Sequence, residues 1–302
     1  MPGGALFCTF EAVDERAWNH LIRELKLGSC TPFLGAGACA GVFGAAGDIA
    51  TSWARRFGYP FSDTSDLARV MQYVAVEMGD PVSAKQDFVT QELGGKSGGA
   101  VPAVHRLLAE YPLPVYLTTN YDDFMRAALC DAGKEARAEL PTWWRSGGGQ
   151  PATGPAPSAG EPVVYHLHGL HDMPESLVLT EDDYIHFLIS LVEDRDRQPA
   201  TLLPPFVREA LASRPLLFIG YSLRDWTFRV LFEGLLKAVP PTHQRRHISV
   251  QLDPLSDGVD PADQAKARQY LERHFDGKRI SIHWSSAEDF VTELRVRLAA
   301  TP

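Results

Sequence analysis

Apolar residues along this chain follow two patterns, short unbroken runs of about four and longer stretches where they return every third or fourth position. The runs fall at 31–34, 115–119, 163–165, 216–219, 247–250 and 279–283. Continuous apolar runs bounded by turn residues suit strands buried on both faces. Helical spacing fills the intervals. Trp18, Leu21, Ile22 and Leu25 form one stripe, with Asp14 placed to cap it and Gly28 to end it. Further helices are expected at 48–57, 66–78, 82–93, 101–111, from 122 onward, and at 180–191, 204–213, 225–236 and 286–298. Residues 60–112 gather helices with no strand between them, so a helical insert is expected there. Residues 146–161 are rich in Gly, Pro, Ala and Ser and read as a mobile surface loop. The alternation predicts one α/β domain over residues 1–302, with a Rossmann-like, six-stranded, mostly parallel sheet and helices on both faces.

Four of the runs stop at residues suited to holding a nucleotide. Phe33-Leu34 leads into Gly35-Ala36-Gly37, and Tyr116-Leu117 into Thr118-Thr119-Asn120-Tyr121-Asp122. Val164-Tyr165 leads into His166-Leu167-His168-Gly169, and Phe218-Ile219 into Gly220-Tyr221-Ser222. In open α/β sheets ligands bind just beyond the carboxyl ends of the strands. These four ends therefore describe one site.

The turn 35–41 lets backbone approach a pyrophosphate and aims amides at it. It is not the dehydrogenase fingerprint, because its third glycine comes one residue late. The alternative is a tight crossover that binds nothing. Asn120 can orient a water or a ribose hydroxyl, and Asp122 can accept a hydrogen bond from a carboxamide or cap the next helix. His168, with a reference pKa of about 6.5, is a usable base at neutral pH, and Gly169 is expected to keep space open beside its ring. Gly220 and Ser222 can wrap an adenosine or a phosphate, with Tyr221 packed beside them. His166, His168 and His171 invite a metal reading, but the further ligands such a site needs are not evident, and no metal is expected.

Composition narrows the classes. At 45% hydrophobic and 22% charged the chain is an ordinary globular protein, and its net charge of −9 argues against nucleic-acid binding. No apolar stretch approaches the roughly 20 residues of a membrane span, and no signal peptide is evident. Four unpatterned cysteines, Cys8, Cys30, Cys39 and Cys130, suit a reducing cytoplasm.

These landmarks, in this order, resemble the sirtuin-like family in its bacterial anti-phage branch. The matching segments are FLGAG, TTNYDD, HLHG followed by LVLTEDDY, and FIGYSLRDW with FR shortly after, within roughly residues 31–232. The resemblance implies that Gly35, Ala36, Gly37, Gly220 and Ser222 hold NAD, that Asp122 contacts nicotinamide, and that Asn120 and His168 carry the chemistry. Protein deacylases of the family carry a four-cysteine zinc module after the HG pair, whereas this chain has no cysteine after Cys130. Members without zinc resemble hydrolases that consume NAD as substrate. The expectation is therefore an NAD glycohydrolase, with an NAD-dependent deacylase and a non-catalytic NAD- or ADP-ribose-binding module as alternatives. An activity so toxic implies control by homo-oligomerisation, or by a defence partner such as an ATPase or a nucleic-acid-guided protein.

Overall fold

The computed structural model describes residues 15–96, 99–145, 154–195, 202–223, 226–236, 245–252 and 260–300. Asp14 and residues 146–153 of the Gly/Pro-rich loop lie outside them.

Seven strands form one sheet: β1 (Thr31–Leu34), β2 (Val115–Thr118), β3 (Arg137–Glu139), β4 (Val163–His166), β5 (Leu216–Ile219), β6 (His247–Gln251) and β7 (Ile280–Trp284). Their order is β3-β4-β2-β1-β5-β6-β7, and every pairing is parallel. Six of the seven coincide with the apolar runs. The seventh, β3, reads Arg-Ala-Glu, is only half-buried and lies at the sheet edge, where no apolar signal is needed.

Among the described residues, twelve α-helices flank or connect the strands. Helix α1 (Glu15–Lys26) precedes β1. Between β1 and β2 lie α2 (Ala40–Phe43), α3 (Ala46–Phe57), α4 (Leu67–Met78), α5 (Pro81–Phe88) and α6 (Ala103–Ala109). Then follow α7 (Phe124–Asp131), α8 (Glu181–Arg195), α9 (Pro205–Ser213), α10 (Trp226–Leu236), α11 (Pro261–Asp276) and α12 (Ala287–Ala300).

The pleat sorts the central strands between two cores, because successive strand side chains point to opposite faces. Leu34, Tyr116, Val164, Leu217 and Ile219 face a core with α1, α6, α7 and α12. Phe33, Val115, Leu117, Val163, Tyr165, Leu216 and Phe218 face the other, with α8, α9, α10 and α11. Both sheet faces are covered, so unbroken apolar runs are what these strands require.

A third cluster explains the helices between β1 and β2. Trp53, Ala54, Val70, Met71, Val74, Ala84 and Phe88 pack together with Leu177 and Leu179 from the segment before α8. Helix α6 packs instead on the main core through Val104, Leu107 and Leu108. The helices sharing their own core thus run from α3 to the π-helical turn Val89–Leu93. That group starts and ends earlier than the 60–112 suggested by spacing, because α3 contributes Trp53 to it and α6 turns to the sheet.

Candidate active site

Strand register gathers the candidate residues. Leu34 pairs with Thr118 and Ile219, and Thr118 pairs with His166. The carboxyl ends of β4, β2, β1 and β5 are therefore neighbours at one level. The chain runs from β1 outward to β2 and on to β3 at the edge, returns to β4 between them, then crosses to β5 on the other side of β1. This is the reversal at which open α/β sheets form a ligand crevice.

Beyond β1 the chain makes a 3-10 turn, Ala36–Cys39, pressed against the end of β5. The Gly35 amide donates to the Ile219 carbonyl, and the Gly37 amide to the Gly220 carbonyl, each at 2.9 Å. Ala38 N–H donates to Gly35 O at 2.9 Å. Three amides expected to face a pyrophosphate are thus engaged within the protein, two with the end of β5 and one inside the turn. Gly220 has a φ of +82°, and a Cβ there would lie 2.2 Å from Ala38 N. Only glycine permits both the left-handed backbone and this approach. Tyr221 lies across the turn, its hydroxyl donating to Leu34 O at 2.8 Å and lying 2.8 Å from Thr119 Oγ1.

Asn120 is buried two residues beyond the end of β2. Its Nδ2 donates to Gly35 O at 3.1 Å and lies 3.4 Å from Cys39 Sγ. Its backbone N–H donates to the Thr118 hydroxyl oxygen at 2.9 Å, and its carbonyl lies 3.2 Å from His166 Nδ1. The side-chain amide is thereby held through its nitrogen, and the backbone that carries it is fixed at both its N–H and its carbonyl. Asp122 is also buried; Oδ1 accepts the Phe124 N–H at 3.1 Å, and Oδ2 accepts the Cys39 thiol at 3.4 Å. Asp122 therefore does reach the start of α7, while its other oxygen faces the turn after β1. Burial raises its carboxyl above the usual range.

His168 is 7% exposed, with Tyr184 and Phe187 of α8 set edge-on at 5.3 Å. Desolvation lowers its pKa to about 3, so the imidazole is neutral and a weak proton acceptor. Gly169 does not open space beside that ring. Its φ is +90°, and a Cβ would lie 2.4 Å from Ser176 O, so it serves close passage of the chain before α8. The three histidines do not converge. His166 turns to Asn120, and His171 pairs with Asp172 at 3.0 Å. The one group of described residues close enough to share a cation is Cys39, His105 and Asp122.

A cavity of about 710 Å³ adjoins the turn, within the size range of small-molecule sites. Gly37, Gly220 and Ser222 line it, together with Gln251 at the end of β6 and Ser286 and Glu288 at the start of α12. Gly35, Ala36, Asn120, Asp122 and His168 are outside that lining. Gln251 went unread in the sequence although it follows a clear strand. It holds the loop after β5, accepting the Leu223 N–H at 3.1 Å. His105 carries no signal in the sequence, being a polar residue beside Arg106 in an otherwise apolar helix.

A family model described as a SIR2-like domain matches residues 114–275. Three relatives share the name NAD(+) hydrolase ThsA. The one from Acinetobacter baumannii is 26% identical over 72% of this chain and 41% of its own length. The Enterococcus faecium protein is 25% identical over 78% and 47%, and the Bacillus cereus protein 26% over 64% and 37%. The chain thus spans less than half the length of these relatives.

Proposed function

Because this chain belongs to the SIR2-like domain family, we propose that it is an NAD glycohydrolase, which splits the nicotinamide–ribose bond to give nicotinamide and ADP-ribose. The observation that carries the reading is the register of β4, β2, β1 and β5, which sets Asn120, His168 and the two glycine turns at adjoining strand ends. The names of the relatives support the same substrate.

The leaving nicotinamide departs as a neutral pyridine, so the reaction needs no general acid, unlike an ordinary glycosidase. The site must instead stabilise an oxocarbenium-like ribose and hold a nucleophile in line. Asn120, fixed by Gly35 and Cys39, offers its amide oxygen to a water. His168, neutral and desolvated, accepts a hydrogen bond from that water or from a ribose hydroxyl. Asp122 takes the carboxamide, and Gly35, Ala36, Gly37, Gly220 and Ser222 hold the adenosine diphosphate. For the turn to bind phosphate through its amides, ligand must displace some of the bonds now made within it. The reading covers residues 1–302 as one NAD-binding domain that acts in the cytoplasm by depleting NAD during phage infection. It includes control through homo-oligomerisation or a defence partner. No described helix is long and apolar enough to cross a membrane.

Chromatography of NAD incubated with the purified chain, over a range of protein concentrations, tests this. Nicotinamide and ADP-ribose are expected, with turnover per chain rising as it assembles. Asn120→Ala and His168→Ala are expected to fold but to lose at least about 100-fold in nicotinamide release. Near-normal turnover by either variant removes its assigned role. Release that requires an acetylated peptide would establish deacylation instead, and tight NAD binding without release at any concentration would establish a binding module.

A further inference from the structure

Behind the first turn, three side chains from separate parts of the fold aim ligand atoms at one point. Cys39 ends the 3-10 turn, His105 stands on α6, and Asp122 follows β2. Cys39 Sγ lies 3.8 Å from His105 Nε2 and 3.4 Å from Asp122 Oδ2. One ligand atom from each of the three residues falls within 4.8 Å of the others, and all three residues are buried. Tetrahedral zinc, with bonds of about 2.3 Å to sulfur and about 2.1 Å to nitrogen or oxygen, sets sulfur about 3.6 Å from each of the other two ligands. The observed edges match that figure within a few tenths of an ångström.

Hydrogen bonding leaves this cluster incomplete. The thiol has one proton for two neighbours, a carboxylate and an imidazole. His105 is 1% exposed and its Nδ1 is buried with no hydrogen-bond partner. That atom lies across the ring from Nε2, so the cluster meets this imidazole through Nε2, whose contact with the sulfur at 3.8 Å is long and weak.

We propose that Cys39, His105 and Asp122 bind one zinc-class divalent cation, which holds the NAD site inactive. Thiolate, imidazole and a single carboxylate favour zinc over magnesium or calcium, which prefer all-oxygen shells. On binding, the Cys39 thiol proton leaves to solvent, so thiolate and carboxylate together neutralise the +2 charge in a buried setting. Three protein ligands leave a fourth position for water. Inhibition follows because the cation takes Asp122 and displaces the Cys39 contact that fixes Asn120. That consequence rests on the NAD reading; cation binding does not.

The test is titration of the full chain, stripped by chelator, with Co²⁺ as a spectroscopic probe and then with competing Zn²⁺. One equivalent per chain is expected, with a thiolate-to-cobalt charge-transfer absorption that zinc abolishes. Cys39→Ser and His105→Leu are each expected to weaken binding by more than the about 10–100-fold that loss of an outer partner costs. Thermal melts of both variants establish that they fold. In parallel, zinc is expected to suppress NAD cleavage by the parent but not by His105→Leu. Absence of the thiolate absorption, or its persistence in both variants, overturns the site. Zinc binding without loss of turnover overturns the inhibitory role. A chelator-stripped parent that cleaves no NAD, yet gives the thiolate absorption once cobalt is added, supports the site while removing the proposed function.

Discussion

At the scale of single residues, burial changes what a side chain can do. The reference pKa of His168 suggests a base near neutrality, but its ring meets Tyr184 and Phe187 edge-on, and burial lowers its pKa to about 3. Accepting a hydrogen bond from a hydroxyl is the role that such an environment leaves it. Gly220 shows a different constraint, backbone against backbone. Gly220→Ala is expected to cost at least about 1–3 kcal/mol from the left-handed φ alone. The added methyl also meets Ala38 N, so the first turn must move and NAD affinity should fall with stability. Denaturant melts and NAD titration check this, and an unchanged midpoint would contradict it. Asp122 shows that two roles read as rivals can coexist, since one oxygen meets Phe124 N–H while the other faces Cys39.

At the scale of elements, helices α5 and α8 are locked together beside the site. Lys85 Nζ lies 2.7 Å from Asp183 Oδ1, and both residues are buried. Asp183 Oδ2 accepts the N–H groups of Leu179 and Thr180, which fixes the start of the helix that carries Tyr184 and Phe187. Removing one member of a buried pair leaves the other charge uncompensated. Lys85→Ala is therefore expected to lower unfolding free energy by about 3–5 kcal/mol in denaturant titration. A change below about 0.5 kcal/mol would show that the pair holds nothing together. Neither partner is recognisable as such in the sequence, because 98 residues separate them.

Across the whole molecule, histidines buried in a neutral state set the response to acid. Burial lowers His105 and His168 to about 3, and His166 and His247 to about 4. In the unfolded chain each takes up a proton near pH 6.5. On acidification the unfolded state therefore gains protons first. Their contribution is complete above about pH 6.5 and is lost progressively between there and about pH 3–4. Each histidine adds up to about 1.4 kcal/mol per pH unit in that window. Asp122, raised by burial, acts in the opposite sense but is one group against these four and His283, which burial also lowers. Denaturant midpoints are expected to be clearly lower at pH 5.0 than at pH 7.5, and an equal or higher midpoint at pH 5.0 would refute the account.

The sequence by itself determined six of the seven strands and the fold class. A parallel sheet covered on both faces demands continuous apolar runs, and a run ending in Gly, Asn or His declares itself without reference to any other part of the chain. It also determined the order of the strand-end motifs. Tertiary structure alone decided which of those ends are neighbours, since strand order is not chain order. It alone brought Cys39, His105 and Asp122 together. It also turned α6 to the main core, engaged the amides of the first turn, and held His168 neutral. Each of these depends on distances between residues far apart in the chain, and on desolvation, which no local pattern encodes.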